Sequence, residues 1–354
     1  MFTVYHSNQL DLLKSLLVSL IQQRPLSDPF QKELILVQSP GMAQWLKMAL
    51  AKEQQIVANV EFPLPATFIW HLFVRVLDGV PERSDFNKEA MTWKLMDLLP
   101  SCLDAPEFAD LAAYLEDSQD QQRAYQLAEK VADIFDQYLV YRPEWVLAWE
   151  QEQPVPELDD VQPWQQKLWR RLYDHTLALG QSPYHRANLY QEFIDTLTSH
   201  QHKPEGLGDI ERVFVFGISA LPPRYLDALQ ALGEHVEVHF MFTNPCRYYW
   251  GDIRDKRYLA KRAALARDKV SRIEDIPAES QLALGLDEPE YGEVGNSLLA
   301  SMGKLGRDNL LLLSEMACNE IDSGFVEVNR DNLLHHIQAD ILDLNEPGDP
   351  KQTE

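Results

Sequence analysis

The amino-terminal sixty residues alternate between two hydrophobic patterns. Phe2 to Tyr5 (FTVY) reads as a short β-strand, and Leu10, Leu13, Leu17, Leu20 and Ile21 then recur at three- and four-residue intervals, the spacing of one helix face. Ser7 and Asn8 stand where a helix N-cap is expected. Beyond a proline-containing turn, Leu34 to Val37 is continuously apolar, the pattern of a strand buried on both faces. Gln38-Ser39-Pro40-Gly41 ends that run, and residues 42–52 resume helical spacing. Two βα units in succession predict a parallel sheet covered by helices.

From 63 to 204 the strand pattern is replaced by helical periodicity, over 88–99, 108–115, 122–139 and 164–179, interrupted by proline or acidic loops. Strand patterns return at Arg212 to Phe216 and at Val236 to Phe242, with a helix over 223–232 between them and Thr243-Asn244-Pro245 as a stop. A basic helix over 254–272, an acidic loop punctuated by Gly and Pro over 273–296, and a helix over 307–316 follow. The expected organisation is an α/β domain made of 1–62 and 205–335, an all-helical insertion over 63–204, and a linker or cut end over 336–354.

Composition narrows the function classes. With 45% hydrophobic and 25% charged residues the chain is an ordinary globular protein, and 354 residues exceed one compact core. No apolar run spans a bilayer and no signal peptide opens the chain, so a cytoplasmic location is expected, with no membrane partner. Cys102, Cys246 and Cys318 form no CxxC pair, and neither His335-His336 nor His200-x-His202 has companion ligands at metal-site spacing, so neither a metal nor a cofactor is expected. A net charge of −23 argues against a surface that grips phosphates throughout. The charge is uneven: 101–160 holds 15 acids and 3 bases, and 254–272 holds 8 bases and 2 acids. The basic stretch is a solvated helix or, through its eight bases, Lys261, Arg262 and Arg267 among them, a contact for DNA phosphates or an acidic partner.

The α/β pattern raises the question of nucleotide binding, and the motifs answer it by absence. A phosphate-binding turn reads GxxxxGK[ST]. In the turn after Leu34–Val37, Lys47 follows Gly41 at the right spacing, but Leu46 replaces the second glycine and Met48 the hydroxyl residue. Gly303-Lys304 fails similarly, with Leu298 and Leu305 at the other two positions. After Val213–Phe216, where a metal-binding acid would stand, the sequence gives Gly217-Ile218-Ser219-Ala220-Leu221-Pro222. This is also no GxSxG nucleophile elbow. A nucleotide-binding architecture without its chemistry is expected, and no catalysis of its own.

Several runs resemble the RecC family: VYHSNQLDLL, ILVQSPGMAQWL, FPLPATFIW, FDQYLVYRPEW, YHRANLYQ, VFGISALPPRYL and TNPCRYYWGDI. The resemblance covers essentially the whole chain and corresponds to the amino-terminal portion of that larger subunit of RecBCD, exodeoxyribonuclease V. It implies an α/β fold with a RecA-like parallel sheet resembling superfamily 1 helicase domain 1A, and a helical insertion resembling domain 1B. It further implies work in double-strand break repair and homologous recombination beside RecB and RecD, as one subunit of a heterotrimer. Duplex DNA ends would be split and the 3′-ended single strand read for the Chi sequence in a tunnel.

Carried over where the motifs match, the implied Chi-reading residues are Gln38, Gln44, Leu64, Trp70, Asp133, Asp136, Gln137, Arg142 and Arg186. Amides and carboxylates can address base edges, arginine can bridge guanine or phosphate, and Trp70 offers a stacking plane. Pro40 stands where the family reader has Thr, and Ile134 where it has Leu, which puts the exact octamer recognised in question. Without the resemblance, Trp70 is a core residue, Asp133 and Asp136 a solvated acidic face, and the two glutamines surface. The rival reading is a protein-interaction scaffold that only docks RecB.

Overall fold

The computed structural model describes residues 1–116, 121–155, 162–199, 202–254 and 295–346. The chain separates into a unit of Met1–Phe62, Arg212–Leu221 and Glu237–Glu354, and a unit of Pro63–Glu211 with Pro222–Val236. The basic stretch 254–272 apart from Arg254, nearly all of the acidic loop 273–296, His200 and the end beyond 346 lie outside the described residues.

The first unit carries a six-stranded parallel sheet. In chain order its strands are β1 (Phe2–Ser7), β2 (Glu33–Val37), β3 (Val60–Glu61), β4 (Arg212–Phe216), β5 (Glu237–Thr243) and β6 (Asn319–Ile321). Their spatial order is β3-β2-β4-β5-β1-β6, and every pair is parallel. β1 and β4 are buried at every position, as strands covered on both faces must be. Helices α1 (Leu10–Gln23) and α2 (Pro40–Gln54) turn Leu13, Leu17, Leu46 and Leu50 onto Ile35, Val37, Phe214 and Phe216. At the foot of the sheet, buried Arg212 donates from Nε to Glu33 at 3.0 Å and touches the second carboxylate oxygen as well.

The edge strands β3 and β6 carry no apolar signal in the sequence. They are two and three residues long, and β6 is exposed throughout, so nothing in their hydropathy distinguishes them from loop. Ser7 and Asn8 do not cap α1. Gln9 holds that position without a side-chain bond, while Ser7 Oγ accepts from the Gln9 amide. The region expected as linker from 336 is helical at its start: α13 (Leu333–Leu342) is capped by Asn332, whose side chain accepts from the His335 amide. Before it come α11 (Ser297–Met302) and α12 (Lys304–Glu315), the second close to its expected bounds.

The second unit is helical among its described residues. It comprises α3 (Pro65–Val76), α4 (Lys88–Cys102), α5 (Ala109–Glu116), α6 (Gln121–Tyr141), α7 (Pro143–Glu150), α8 (Pro163–Ala178) and α9 (Arg186–Ser199). The helix between β4 and β5, α10 (Pro223–Leu232), packs with α9, α3 and α6 and clusters with this unit, not with the sheet it connects. Its core gathers Phe86, Leu95, Phe135, Leu139, Trp149 and Trp169, all at or below 1% exposure.

Candidate nucleic-acid interface

The sheet order fixes where a ligand would lie. β1 leads to β2, three places to one side, and its neighbour β5 leads to β6, two places to the other. Adjacent strands that depart in opposite directions open a crevice at their carboxyl ends. A nucleotide-binding sheet of this order would therefore set phosphates at the turn after β1. Ser39–Lys47, where Gly41 and Lys47 imitate the phosphate-binding motif, follows β2 and is a different turn. The turn after β1 reads Ser7-Asn8-Gln9-Leu10 and contains neither glycine nor lysine.

That crevice is covered by the chain itself. Asn8 donates from Nδ2 to the Val326 carbonyl at 2.8 Å and accepts from the Val326 amide at 2.9 Å. A Cβ on Gly324 would lie 2.5 Å from the His6 carbonyl oxygen, so this crossing requires glycine. Arg247 joins the strap from below, pairing with Glu327 at 2.7 Å and Asp343 at 3.2 Å, and its amide donates to the Leu342 carbonyl. What remains is a cavity of about 230 Å3 lined by Asn8, Gln9, Pro245, Val328, Gln338 and Ile341, without a charged group. Among the described residues no cluster of His, Cys, Asp or Glu could hold a metal ion.

Two of the nine expected reading residues belong to the sheet unit. Gln38 is exposed at the end of β2, and Gln44 is exposed on the second turn of α2. Ser39 caps that helix by accepting from the Met42 amide, and Pro40 occupies its first turn, where no amide donor is needed. Within the described residues neither glutamine side chain has a hydrogen-bond partner, so both carboxamides face outward uncommitted. Beside them Gly217, at φ 67°, turns the chain after β4 against Met42.

The other seven lie in the helical unit, and most are already engaged. Trp70 is 8% exposed; its Nε1 donates to the carbonyls of Pro81 and Glu82, both at 3.1 Å, and its ring meets Phe73 edge-on. The structure places it as a core residue with one rim on a cavity, which narrows the stacking role expected of it. That cavity, about 330 Å3, is lined among others by Thr67, His71, Arg83, Asn87 and Arg186. Leu64, half-exposed, occupies the N-cap position of α3.

On α6 the acids are paired, not freely solvated. Asp133 accepts from Lys88 at 3.1 Å, Lys130 at 3.4 Å and Gln137 at 3.3 Å, and the Lys88 hydrogen bond holds its carboxyl below the usual carboxylate range. Asp136 pairs with Arg186. Burial works against the charge of Arg186, but Asp136 and the neighbouring Tyr225 outweigh it and keep the guanidinium firmly protonated. Burial pushes the phenols of Tyr190 and Tyr225 up, so both remain neutral beside it. Arg142 stands at the N-cap of α7 with its guanidinium 5.3 Å from the Trp145 ring centroid.

The family model for RecC, N-terminal domain, matches residues 2–344. The chain belongs to the RecC family. The RecBCD enzyme subunit RecC of Escherichia coli K12 is 52% identical over 353 residues, 97% of this chain and 31% of that protein. The RecC of Haemophilus influenzae is 40% identical over 98% of this chain and 34% of its own length, and that of Mycolicibacterium smegmatis 28% identical over 96% of this chain. The chain thus spans about a third of the length of the RecC proteins it matches. No helix among the described residues is long and apolar enough to cross a membrane.

Sequence reasoning identified the family and its polar residues but not their pairing. Lys88 carries no motif and meets Asp133 only through the packing of two helices; Lys130 sits three residues before Asp133 on the same helix, and Tyr225, inside the run VFGISALPPRYL, gives no sign in sequence that it stands beside Arg186.

Proposed function

We propose that this chain is the DNA-guiding, Chi-reading portion of a RecBCD helicase/nuclease. In this reading it performs no catalysis and works with RecB and RecD in double-strand break repair in the cytoplasm. The sheet unit is an inactive counterpart of superfamily 1 helicase domain 1A, and the helical unit a counterpart of 1B. Duplex ends are split and the 3′-ended single strand is read as it passes, by Gln38 and Gln44 in one unit and by Leu64, Trp70, Asp133, Asp136, Gln137, Arg142 and Arg186 in the other.

The observation that carries the reading is the pair of carboxamides, Gln38 and Gln44, free of partners among the described residues, at the carboxyl end of a sheet whose turns lack a phosphate-cradle motif. A carboxamide presents one donor and one acceptor in a plane and can match adenine N6 and N7, or single edges of other bases. In the helical unit Asp133 and Asp136, once their cationic partners give way, offer acceptors suited to base edges and not to phosphate. Arg186 can address guanine or phosphate once Asp136 releases it.

Arg186→Ala in the assembled three-subunit complex tests the reading against the scaffold alternative. The expected result is normal assembly and unwinding with Chi response reduced at least about tenfold, the order of one charged base contact. Loss of assembly with no separate effect on Chi would favour the docking scaffold.

A further inference from the structure

We propose that Trp45 is a base-stacking platform of the reading surface on the β2–α2 turn. The inference rests on the reading that Gln38 and Gln44 contact single-stranded DNA.

Trp45 follows Gln44 on α2 and is 38% exposed. Its indole lies nearly parallel to the Phe216 ring, at 23° and 6.2 Å between centroids. Phe216 closes β4 and is fully buried, so the backing of the indole cannot move aside. Trp45 thus presents a partly exposed indole on a rigid element, in offset contact with a buried ring. Polar groups surround that plane without being spoken for: Gln38, Gln44 and Lys47 are exposed, and among the described residues none of their side chains has a hydrogen bond or ion pair. Exposed Met48, one helical turn after Trp45, extends the apolar strip.

These are the parts that single-strand binding needs: an aromatic face for the base, donors and acceptors for its edge, and an ammonium for the phosphate. A protein partner would bury the same indole, but it would also have to satisfy two carboxamides and an ammonium in a row, at a cost for each left unpaired. A flexible nucleotide strand can supply those partners at the same spacing. The sequence offered Trp70 for this role because of its motif; Trp70 is nearly buried, whereas Trp45 is available.

The test uses the complete three-subunit complex stalled on a 3′-ended strand carrying 5-iododeoxyuridine at successive positions in and around Chi. Irradiation should cross-link one register to Trp45, read as a modified residue in the peptide spanning 42–47. In parallel, Trp45→Ala and Trp45→Leu should each lower Chi response about tenfold, and Trp45→Phe should restore most of it, because a ring stacks and an aliphatic side chain does not. Cross-links that appear at other residues but in no register at Trp45 would overturn the proposal. So would equal behaviour of the Leu and Phe variants, or failure of Trp45→Ala complexes to assemble, which would mark the indole as a protein contact. Gln44→Ala separates the layers: if it abolishes Chi response while Trp45 shows no cross-link, the reading surface stands and this inference falls; if it has no effect, the reading surface itself falls.

Discussion

At the scale of single residues, the two units use charge differently. In the sheet unit, Arg212 and Glu33 are a buried pair, and removing one partner leaves a charge without solvent. Arg212→Ala should therefore destabilise by about 3–5 kcal/mol, measured by urea denaturation. An effect below about 1 kcal/mol would mean that water reaches Glu33. His6 and His239 are also buried, and burial lowers the pKa of each from the ordinary 6.5. The folded state thus holds both neutral while the unfolded chain takes up protons below about pH 6.5. Stability from these groups is complete above that pH and is lost as the pH falls through and below it. The denaturation midpoint should be level between pH 7 and 8 and decline by pH 5.5, with His239→Gln flattening the decline. An unaltered slope in that variant would assign the acid sensitivity elsewhere.

At the scale of elements, the hydrophobic pattern was legible for most buried elements, although α3, α7 and α9 were not singled out by it. β1, β2, β4 and β5, and the helices 88–102, 121–141 and 163–178, all appear close to where their periodicity puts them, because a buried face must repeat in sequence. The strands that escaped are the short edge strands β3 and β6. β6 pairs with β1 from more than three hundred residues away and is exposed throughout. Asn8 looked like a cap because Asn before a helical pattern usually is one; its side chain instead holds Val326, a contact with no local signature. Asn8→Ala removes both bonds of that strap. Hydrogen exchange at the Val326 amide should quicken by about tenfold, the effect of a net loss near 1–2 kcal/mol, while exchange in β4 stays unchanged. Unchanged protection at 326 would show that Arg247 and Gly324 hold the strap without Asn8.

At the scale of the whole molecule, a parallel sheet keeps the geometry of a ligand-binding fold while its crevice is filled by the chain's own strap. The sequence revealed the missing phosphate cradle but tied it to the turn after β2, since Gly41 and Lys47 imitate the motif there. Strand order, which no local pattern encodes, moves the crevice to the turn after β1. What the turn after β2 carries instead is a row of polar side chains around Trp45 that have no partner among the described residues. The polar residues proposed as readers in the helical unit, by contrast, were legible only as types: the pairing of Asp136 with Arg186 and of Asp133 with Lys88 joins residues 50 and 45 positions apart in sequence.

The most direct measurement is the Chi response of the assembled complex carrying Gln44→Ala, scored together with its unwinding rate and its ATP hydrolysis. A reading surface without nucleotide chemistry predicts that unwinding and hydrolysis continue at native rates while response to Chi falls at least about tenfold. Undiminished Chi response, or loss of hydrolysis in step with it, would contradict the account.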